Sequence, residues 1–306
     1  MQSVTALQKT QSRLRHSARL TFSYARLYRA MSASVVEAFC FTNPLLNATL
    51  HLLCAPFALE LTRLGMKMEA MIARESHLRG ASQWLVEIAA RALHIQGAER
   101  IPTSGPVLFL CNHAGLGDAF ALLAASPRGD TQVLAYDFGI LPGLGELRRH
   151  VIAVDKRAPY SAMRASLRHL RAGKSLLLFP RGEIEDDPAL ALEPALASLA
   201  EWSRSVEFFV RHTPDLMILP CAVGGVISRR ALRNPVVRQY RDKDKRHFLA
   251  ATFQMMFPFY RDPVISLHFG RPLRGEGTSR EALMREMAGL LRGVHAEQRG
   301  LINRVP

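Results

Sequence analysis

A histidine and an aspartate five positions apart, His113 and Asp118, are the residues of this chain whose types and spacing most clearly allow chemistry. On a single α-helix, five residues turn the chain by about 500°, so the two side chains would point roughly 140° apart. They can meet only if the histidine lies in a loop and the aspartate begins the next helix. In that arrangement the carboxylate fixes the tautomer of the imidazole and stabilises the imidazolium, as the partner of a general base does.

The residues on either side of the pair support this arrangement. The apolar run 107–110 predicts a buried strand before His113, and a helical pattern begins at Asp118. Gly115 and Gly117 allow a loop between them. The alternative is that Asp118 only caps the helix and that His113 is a loop histidine bonded to backbone. The pair alone leaves both interpretations open.

Length and composition limit the class of protein. A chain of 306 residues with 48% apolar content suits one large α/β domain with an appended segment, or two small domains. The formal charge of +14 indicates an anionic partner such as lipid headgroups, phosphorylated substrates or nucleic acid. The four cysteines form no close pair, which gives no signal of a zinc site or a redox dithiol and favours reduced thiols in a cytosolic setting.

The N-terminal part of the chain is basic and then apolar. The first 36 residues contain no acidic residue, and we favour a basic, partly helical arm over residues 1–33, although an organellar transit peptide has a similar composition. The next segment, 34–81, holds apolar runs that Asn43-Pro44 and Pro56 interrupt. Each run is too short to span a bilayer, so we expect amphipathic helices lying in the membrane interface. A pair of helices packed on the protein core has the same pattern.

From residue 82 to residue 306 strand-length apolar runs alternate with helical patterns. This alternation predicts an α/β fold with a mixed, largely parallel sheet flanked by helices. The predicted strands cover residues 107–110, 133–136, 151–154, 175–179, 216–223 and 264–269, and the predicted helices cover residues 84–93, 118–126 and 161–172. Because the carboxyl ends of parallel strands meet at one edge, residues that follow these strands are expected to share a cleft rim with His113.

Charged residues follow two of the predicted strands. Lys156 and Arg157 come after the strand 151–154, and the planar fork of an arginine suits a phosphate. After the strand 175–179, Arg181 can contact an anionic headgroup. A solvated loop and an ordinary turn, respectively, are the alternatives.

Two further features complete these blocks. Gly182 permits a tight turn after the strand 175–179, and Glu183 can position a hydroxyl or order the loop, unless residues 186–187 simply start an acidic helix. Pro220 lies inside the apolar run 216–223 and suggests a sheet edge or a strand end.

Together the four blocks resemble the glycerolipid acyltransferase family, whose members acylate glycerol phosphate and lysophosphatidic acid. The family's first block is a His, four residues and an Asp, often preceded by an Asn as at Asn112, and here it runs from His113 to Asp118. Its second block ends in an Arg after an apolar strand, a place that Lys156 or Arg157 can take. The resemblance covers roughly residues 90–275.

The third block departs from the family pattern Phe-Pro-Glu-Gly-Thr-Arg. The Phe, Pro and Gly are kept, but Arg181, Glu183 and Ile184 replace the Glu, the Thr and the Arg. Because the family uses this segment to hold the acceptor's phosphate, the resemblance assigns phosphate binding here to Arg157, Lys156 or Arg181. The fourth block centres on a proline in an apolar strand, which Pro220 matches.

The resemblance implies an O-acyltransferase of phospholipid biosynthesis that moves a fatty acyl group from acyl-CoA or acyl carrier protein to a lysophospholipid or glycerophosphate-type hydroxyl. His113 would act as the base and Asp118 as its partner, without a metal or a cofactor. The residues implied in substrate binding are Asn112, Lys156, Arg157, Arg181, Gly182, Glu183 and Pro220. A serine elbow of the Gly-x-Ser-x-Gly type is absent from the sequence, which suits direct attack by the acceptor.

The resemblance and the charge together predict a peripheral or monotopic protein on the cytoplasmic face of an anionic membrane. The basic cluster between residues 229 and 246 is accompanied by no nucleic-acid motif, so no nucleic-acid partner is expected. Two alternatives stay open: an acyl thioester hydrolase that uses water at the same pair, and a basic lipid- or nucleic-acid-binding protein with a degenerate catalytic core.

Overall fold

The computed structural model describes residues 23–39, 43–136, 139–155 and 157–302 of the chain. Most of the predicted basic arm, residues 1–22, and the candidate site residue Lys156 lie outside the described residues.

One sheet of eight strands organises the part of the chain that the structure describes. The strands are β1 (Ala92–Gln96), β2 (Val107–Cys111), β3 (Gln132–Tyr136), β4 (Val151–Val154), β5 (Ser175–Leu178), β6 (Met217–Gly224), β7 (Val264–Phe269) and β8 (Leu273–Arg274). Their order is β1-β7-β6-β2-β5-β3-β4, and β8 pairs with β6. The five strands from β6 to β4 are parallel, whereas β7 and β8 are antiparallel to β6. The predicted mixed, largely parallel sheet is confirmed.

Helices cover both faces of the sheet. They are α1 (residues 23–37), α2 (Pro44–Glu75), α3 (Arg79–Ala89), α4 (Asp118–Ala125), α5 (Gly145–Arg149), α6 (Pro159–Arg171), α7 (Leu192–Ser198), α8 (Ser205–His212), α9 (Arg229–Arg233), α10 (Pro235–Arg238), α11 (Lys243–Met256) and α12 (Arg280–Ile302). Successive side chains of β2 point to opposite faces, so Phe109 enters the core under α2, α3 and α4, and Leu108 enters the core under α6, α8 and α12.

The predicted helix over residues 84–93 is wrong at both ends. The helix α3 spans Arg79–Ala89, and Leu93 lies in β1. The strand forms because β1 pairs in parallel with β7, more than 160 positions along the chain, with Leu93 opposite Ile265. A continuous apolar run fits a helix or a buried strand equally well, and the distant partner decides between them.

The predicted break at Pro56 is also wrong. The helix α2 continues through Pro56 for 32 residues. A proline removes only the hydrogen bond to the carbonyl four residues earlier, here that of Leu52, and Leu52 is exposed to solvent. Burial of Cys54 and Ala58 on either side of the proline holds the helix against the core. By length and composition alone, α2 is a candidate membrane span.

Helices cross both predicted segment boundaries. Residue 33 lies inside α1, whose Leu27 is fully buried in the core, and residue 81 lies inside α3. The division into an arm (1–33), an amphipathic segment (34–81) and an α/β domain (82–306) remains a proposal about function, because the helices of the first two segments pack on the third.

Pro220 does not mark a sheet edge, as its position in a strand suggested, since β6 lies between β2 and β7. On one side β6 pairs with β8 through residues 217–218 and with β7 through residues 221–224. Pro220 falls where the neighbour changes, and its carbonyl accepts the N–H of Gly270 at 2.8 Å. A strand interior tolerates the missing N–H at such a gap in the ladder.

Candidate active site

His113 lies two residues beyond the end of β2, at the carboxyl edge of the parallel strands. Its Nδ1 atom is 2.7 Å from Oδ2 of Asp118, the first residue of α4. The predicted geometry, a loop histidine and an aspartate that begins the next helix, is confirmed. Because Nδ1 is bonded to a carboxylate, Nδ1 carries the proton and Nε2 is the ring nitrogen that can accept another.

Backbone amides fix the carboxylate of Asp118. Its Oδ2 atom accepts the N–H of Gly115 at 3.1 Å, and its Oδ1 atom accepts the N–H of Ala119 at 2.6 Å. The side chain is 1% exposed, against 24% for His113. Asp118 is therefore a buried, oriented acid, and the imidazole is the member of the pair that substrate can reach. The helix cap, proposed as the alternative role of Asp118, is taken by Gly117.

Gly115 packs closely against another loop. A Cβ atom at this position would lie 3.1 Å from Val226 and 3.3 Å from Ile227, both in the segment after β6. The loop that carries His113 is thus pressed against the residues that follow the neighbouring strand, which limits its motion.

Asn112 ties β2 to β6 directly beneath the histidine. Its side-chain amide donates to the carbonyl of Val223 at 2.9 Å, and its carbonyl oxygen accepts the N–H of Val223 at 2.8 Å. Asn112 is 1% exposed. The structure therefore gives Asn112 a role in holding the two strand ends together, and not a surface that faces substrate.

The sequence analysis assigned no role to Glu185, although both of its carboxylate oxygens accept hydrogen bonds at the site. Its Oε2 atom accepts the backbone N–H of His113 at 2.7 Å, and its own N–H donates to the carbonyl of His113 at 2.6 Å. Its Oε1 atom accepts from Ser198 and Trp202. In the sequence, the signal for Glu185 is its place in the third block, where an acidic residue directly follows the apolar Ile184.

Asp187 plays a similar part for β6. Its carboxylate accepts the N–H groups of Gly225 at 2.9 Å and of Val226 at 3.1 Å. The residues after Glu185 form no helix, so the acidic helix start that we weighed is not present. Glu185 and Asp187 instead connect the segment after β5 to the ends of β2 and β6.

The turn after β5 packs beside the imidazole. The ring of Phe179 stacks on His113 with 4.4 Å between centroids and 26° between planes. Gly182 has φ of +74°, in the left-handed region that favours glycine, and its N–H closes the turn onto the carbonyl of Phe179. The ring of Tyr136, at the end of β3, lies over Gly182. An aromatic wall thus runs from His113 toward β3.

The charges around the ring act in opposite directions. Burial alone would lower the pKa of His113, but the charge of Asp118, its hydrogen bond and the charge of Glu185 outweigh burial and raise that pKa above its ordinary value. An imidazole with this environment is a stronger base than an isolated one and stabilises the proton it accepts.

Arg181 is not free to meet an anionic headgroup. Its guanidinium donates from Nε to Oε2 of Glu201 at 2.9 Å and from Nη1 to the carbonyl of Ile184 at 3.0 Å. These bonds close the loop after β5. Glu183, by contrast, is exposed at the same loop.

Arg157 lies at the same edge of the sheet as His113 but not beside it. It follows β4, which is separated from β2 by β5 and β3, and three strand spacings amount to about 14 Å. Its side chain is exposed, and its N–H donates to Asp155 at 2.8 Å. Pro220 is buried at the level of Leu110, three residues before His113, and lies within the sheet.

Two thiols lie below the site without taking part in it. Cys111 and Cys221 are fully buried and occupy opposing positions on β2 and β6. Burial raises the pKa of both thiols well above the ordinary value, so neither supplies a thiolate nucleophile.

The imidazole of His113 lies apart from two cavities formed by described residues. A cavity of about 250 Å³ between α8 and α12, and a second of about 180 Å³ beside Gly225, are lined by other residues, and His113 borders neither. His113 instead stands at the carboxyl edge of the parallel strands, beside the aromatic wall.

Comparison with known proteins agrees with this arrangement. Residues 92–224 match the family model described as Acyltransferase. No curated protein matches the sequence. One similar solved structure, described as the 1-acyl-sn-glycerophosphate (LPA) acyltransferase PlsC from Thermotoga maritima, shares 14% identity over 94% of this chain and 98% of that chain, with a TM-score of 0.45. That likeness is too weak to bear on substrate.

The matched range starts at β1 and ends with the last residue of β6. It therefore contains the His113–Asp118 pair, the turn around Gly182, and Glu185, which is bonded to the backbone of His113. The match to the Acyltransferase family model therefore covers residues 92–224, the part of the chain that carries the candidate site.

Proposed function

We propose that this protein transfers a fatty acyl group from an acyl thioester, carried by acyl-CoA or acyl carrier protein, to the hydroxyl of a lysophospholipid or glycerophosphate-type acceptor. The observation that carries the proposal is the 2.7 Å contact between His113 and Asp118 at a solvent-accessible strand end. A buried carboxylate behind a partly exposed imidazole is the arrangement of a general base.

The reaction needs no nucleophile from the protein. Nε2 of His113 takes the proton of the acceptor hydroxyl while the oxygen of that hydroxyl forms a bond to the thioester carbonyl carbon. The carbon–sulfur bond then breaks, and the thiolate receives the proton from the imidazolium. The burial of Cys111 and Cys221 is consistent with this single-displacement route. General-base catalysis of this kind contributes about 10²- to 10⁴-fold in rate.

The candidate substrate-binding residues fall into two groups, those that contact the substrate and those that shape the site. We assign contact with an anionic group of the substrate to Arg157, with Lys156 as its sequence neighbour, and contact with an acceptor hydroxyl to Glu183. Arg181, Gly182, Asn112 and Pro220 act through the shape of the loops and strands that carry the site. The exposure of Arg157 and Glu183 at the carboxyl edge supports the first two assignments.

We further propose that the protein works at the cytoplasmic face of an anionic membrane as a peripheral or monotopic protein. Residues 44–53, at the start of α2, leave four leucines exposed: Leu45 at 79%, Leu46 at 50%, Leu52 at 77% and Leu53 at 65%. The basic cluster lies nearby, because the hydroxyl of Tyr240, within the cluster, donates to the carbonyl of Phe39, just before α2. Apolar side chains beside cations suit an interface with anionic lipid.

The test is an assay with labelled acyl-CoA and labelled acyl carrier protein against a panel of lysolipids and glycerol phosphate. Label in a lipid product supports the transferase. Label released only as free fatty acid shows a hydrolase and overturns the proposal, and binding without turnover shows a lipid-binding protein. His113→Ala distinguishes catalysis at this site from a contaminating activity.

A further inference from the structure

Glu185 holds the backbone of the proposed base from both sides. It is 0% exposed, its carboxylate accepts the N–H of His113 at 2.7 Å, and its N–H donates to the carbonyl of His113 at 2.6 Å. Both polar groups of the His113 backbone are thus bonded to one residue. Because His113 lies in a loop, these two bonds decide where its ring is held.

The other carboxylate oxygen of Glu185 is bonded to donors as well. Oε1 accepts the indole N–H of Trp202 at 2.7 Å and the hydroxyl of Ser198 at 2.6 Å. A peptide N–H and an indole N–H can only donate, and each faces a different oxygen of the carboxylate. Both oxygens of the Glu185 carboxylate, buried behind His113, therefore face hydrogen-bond donors.

We propose that Glu185 is a positioning residue for the acyl transfer proposed above: its carboxylate anchors the peptide of His113, and its charge stabilises the imidazolium that forms when His113 takes the acceptor's proton. The stabilisation of the imidazolium by Glu185 rests on the proposed function. The anchoring itself rests only on the hydrogen bonds.

The charge of Glu185 adds to that of Asp118. Asp118 contacts the ring from α4, and Glu185 contacts the backbone from the segment after β5. The remaining titratable groups below the ring, Cys111 on β2 and Cys221 on β6, are buried and neutral. A charge in a water-excluded environment acts over a longer distance than one in water, so both carboxylates raise the pKa of His113.

The decisive variant is Glu185→Gln, which removes the charge and keeps the size. Its matched control is Glu193→Gln, which removes a charge from the exposed start of α7 in the same part of the chain. Two readouts apply to the full-length protein: NMR titration of the His113 ring without substrate, with the signal identified among 11 histidines by comparison with His113→Gln, and the pH profile of kcat/KM for acyl transfer.

We expect Glu185→Gln to move both the ring titration and the rising limb of the profile to lower pH, and to lower kcat by about 10-fold or more, the equivalent of one hydrogen bond to a charged group. Glu193→Gln should match the wild type. If the two variants titrate alike, the proposal is wrong.

A second variant keeps the proposal testable if Glu185→Gln does not fold. Glu185→Asp retains the charge but withdraws the carboxylate by one methylene from the His113 N–H, so kcat should fall while the ring titration stays above the ordinary range. Wild-type turnover in Glu185→Asp would overturn the anchoring role. If no acceptor is acylated by the wild type but Glu185→Gln still lowers the ring titration, the proposed function fails and the effect of Glu185 on His113 stands.

Discussion

Oδ2 of Asp118 contacts both Nδ1 of His113, at 2.7 Å, and the N–H of Gly115, at 3.1 Å, so one oxygen joins the imidazole to the loop that carries it. The carboxylate is positioned by the start of α4 and by the loop at the same time. Its orientation therefore does not depend on bound substrate, and the pair is preorganised for proton transfer.

Removal of either member of this pair is expected to abolish or greatly reduce turnover. His113→Ala should leave no measurable acyl transfer, and Asp118→Asn should lower kcat by about 10²- to 10⁴-fold, because the ring loses the group that fixes its tautomer. The measurement is steady-state kinetics together with circular dichroism to show that the fold is retained. Substantial activity in folded His113→Ala would remove the mechanism.

The pH dependence should follow the raised pKa of His113. The base must be neutral to accept a proton, so kcat/KM should rise with pH and reach its plateau only above the ordinary range for histidine. In Asp118→Asn the residual activity should begin its rise at lower pH, because burial then acts with less opposition. A profile of identical midpoint in both proteins would contradict this account.

The sequence predicted most of the parallel strands and the His113–Asp118 contact for the same reason. Both depend on local pattern: apolar runs of strand length, and a glycine-containing loop before a helix start. The strand 264–269 and the strand 151–154 were located to the residue.

What the sequence could not show depends on contacts between distant residues. The strand β1 exists because it pairs with β7, and α2 passes through Pro56 because Cys54 and Ala58 are buried on a core built from later elements. The sequence predicts that Arg181 binds an anion, but in the folded chain its guanidinium is bonded to Glu201, twenty positions away. Glu185 resembled an ordinary loop acid because only the folded chain brings it against His113.

Arg157 and Arg181 should respond differently to the same substitution. Arg157 is exposed and held to the protein through its backbone, so Arg157→Ala should raise KM for an anionic substrate about 10- to 100-fold, with kcat retained, through loss of charge-assisted hydrogen bonds. Arg181→Ala removes bonds inside the loop after β5 and should lower the melting temperature instead. Kinetics and thermal unfolding of both variants separate the roles, and an unchanged KM in Arg157→Ala would exclude Arg157 from binding.

Arg128 provides a test of stability that is remote from the chemistry. It is buried, makes two bonds to Asp130 at 2.8 and 2.7 Å, and also donates to three backbone carbonyls of the loops that precede β2 and β5. Lysine cannot reproduce this planar fork, so Arg128→Lys should lower the free energy of unfolding by about 3 kcal/mol, since it leaves buried groups unpaired.

The free energy of unfolding that is lost in Arg128→Lys should depend on pH in a definite direction. Burial would raise the pKa of Asp130, but the hydrogen bonds of Arg128 and Ser175 outweigh it and lower that pKa. The stabilisation by the pair is present above the pKa of an unfolded aspartate and is lost as the pH falls through the lower, folded value. Denaturant titrations should therefore show the two proteins converging in acid; a difference that grows as the pH falls would contradict the assignment.

Membrane association should depend on the four exposed leucines at the start of α2, within residues 44–53. Removal of residues 1–66 would strip buried side chains such as Leu27 and Ala58 from the core, so a truncation cannot separate binding from folding.

Simultaneous replacement of Leu45, Leu46, Leu52 and Leu53 by Ser leaves the core intact and removes apolar contact with lipid, each side chain contributing up to about 1.5 to 3 kcal/mol when buried. The Ser variant should stay in the supernatant when anionic vesicles are sedimented, whereas the matched variant with Met at all four positions should pellet as the wild type does. Because the four leucines are exposed and make none of the hydrogen bonds that hold His113 and Asp118, both variants should keep their activity on a detergent-dispersed acceptor. Equal pelleting of the Ser and Met variants would exclude this surface as the membrane contact.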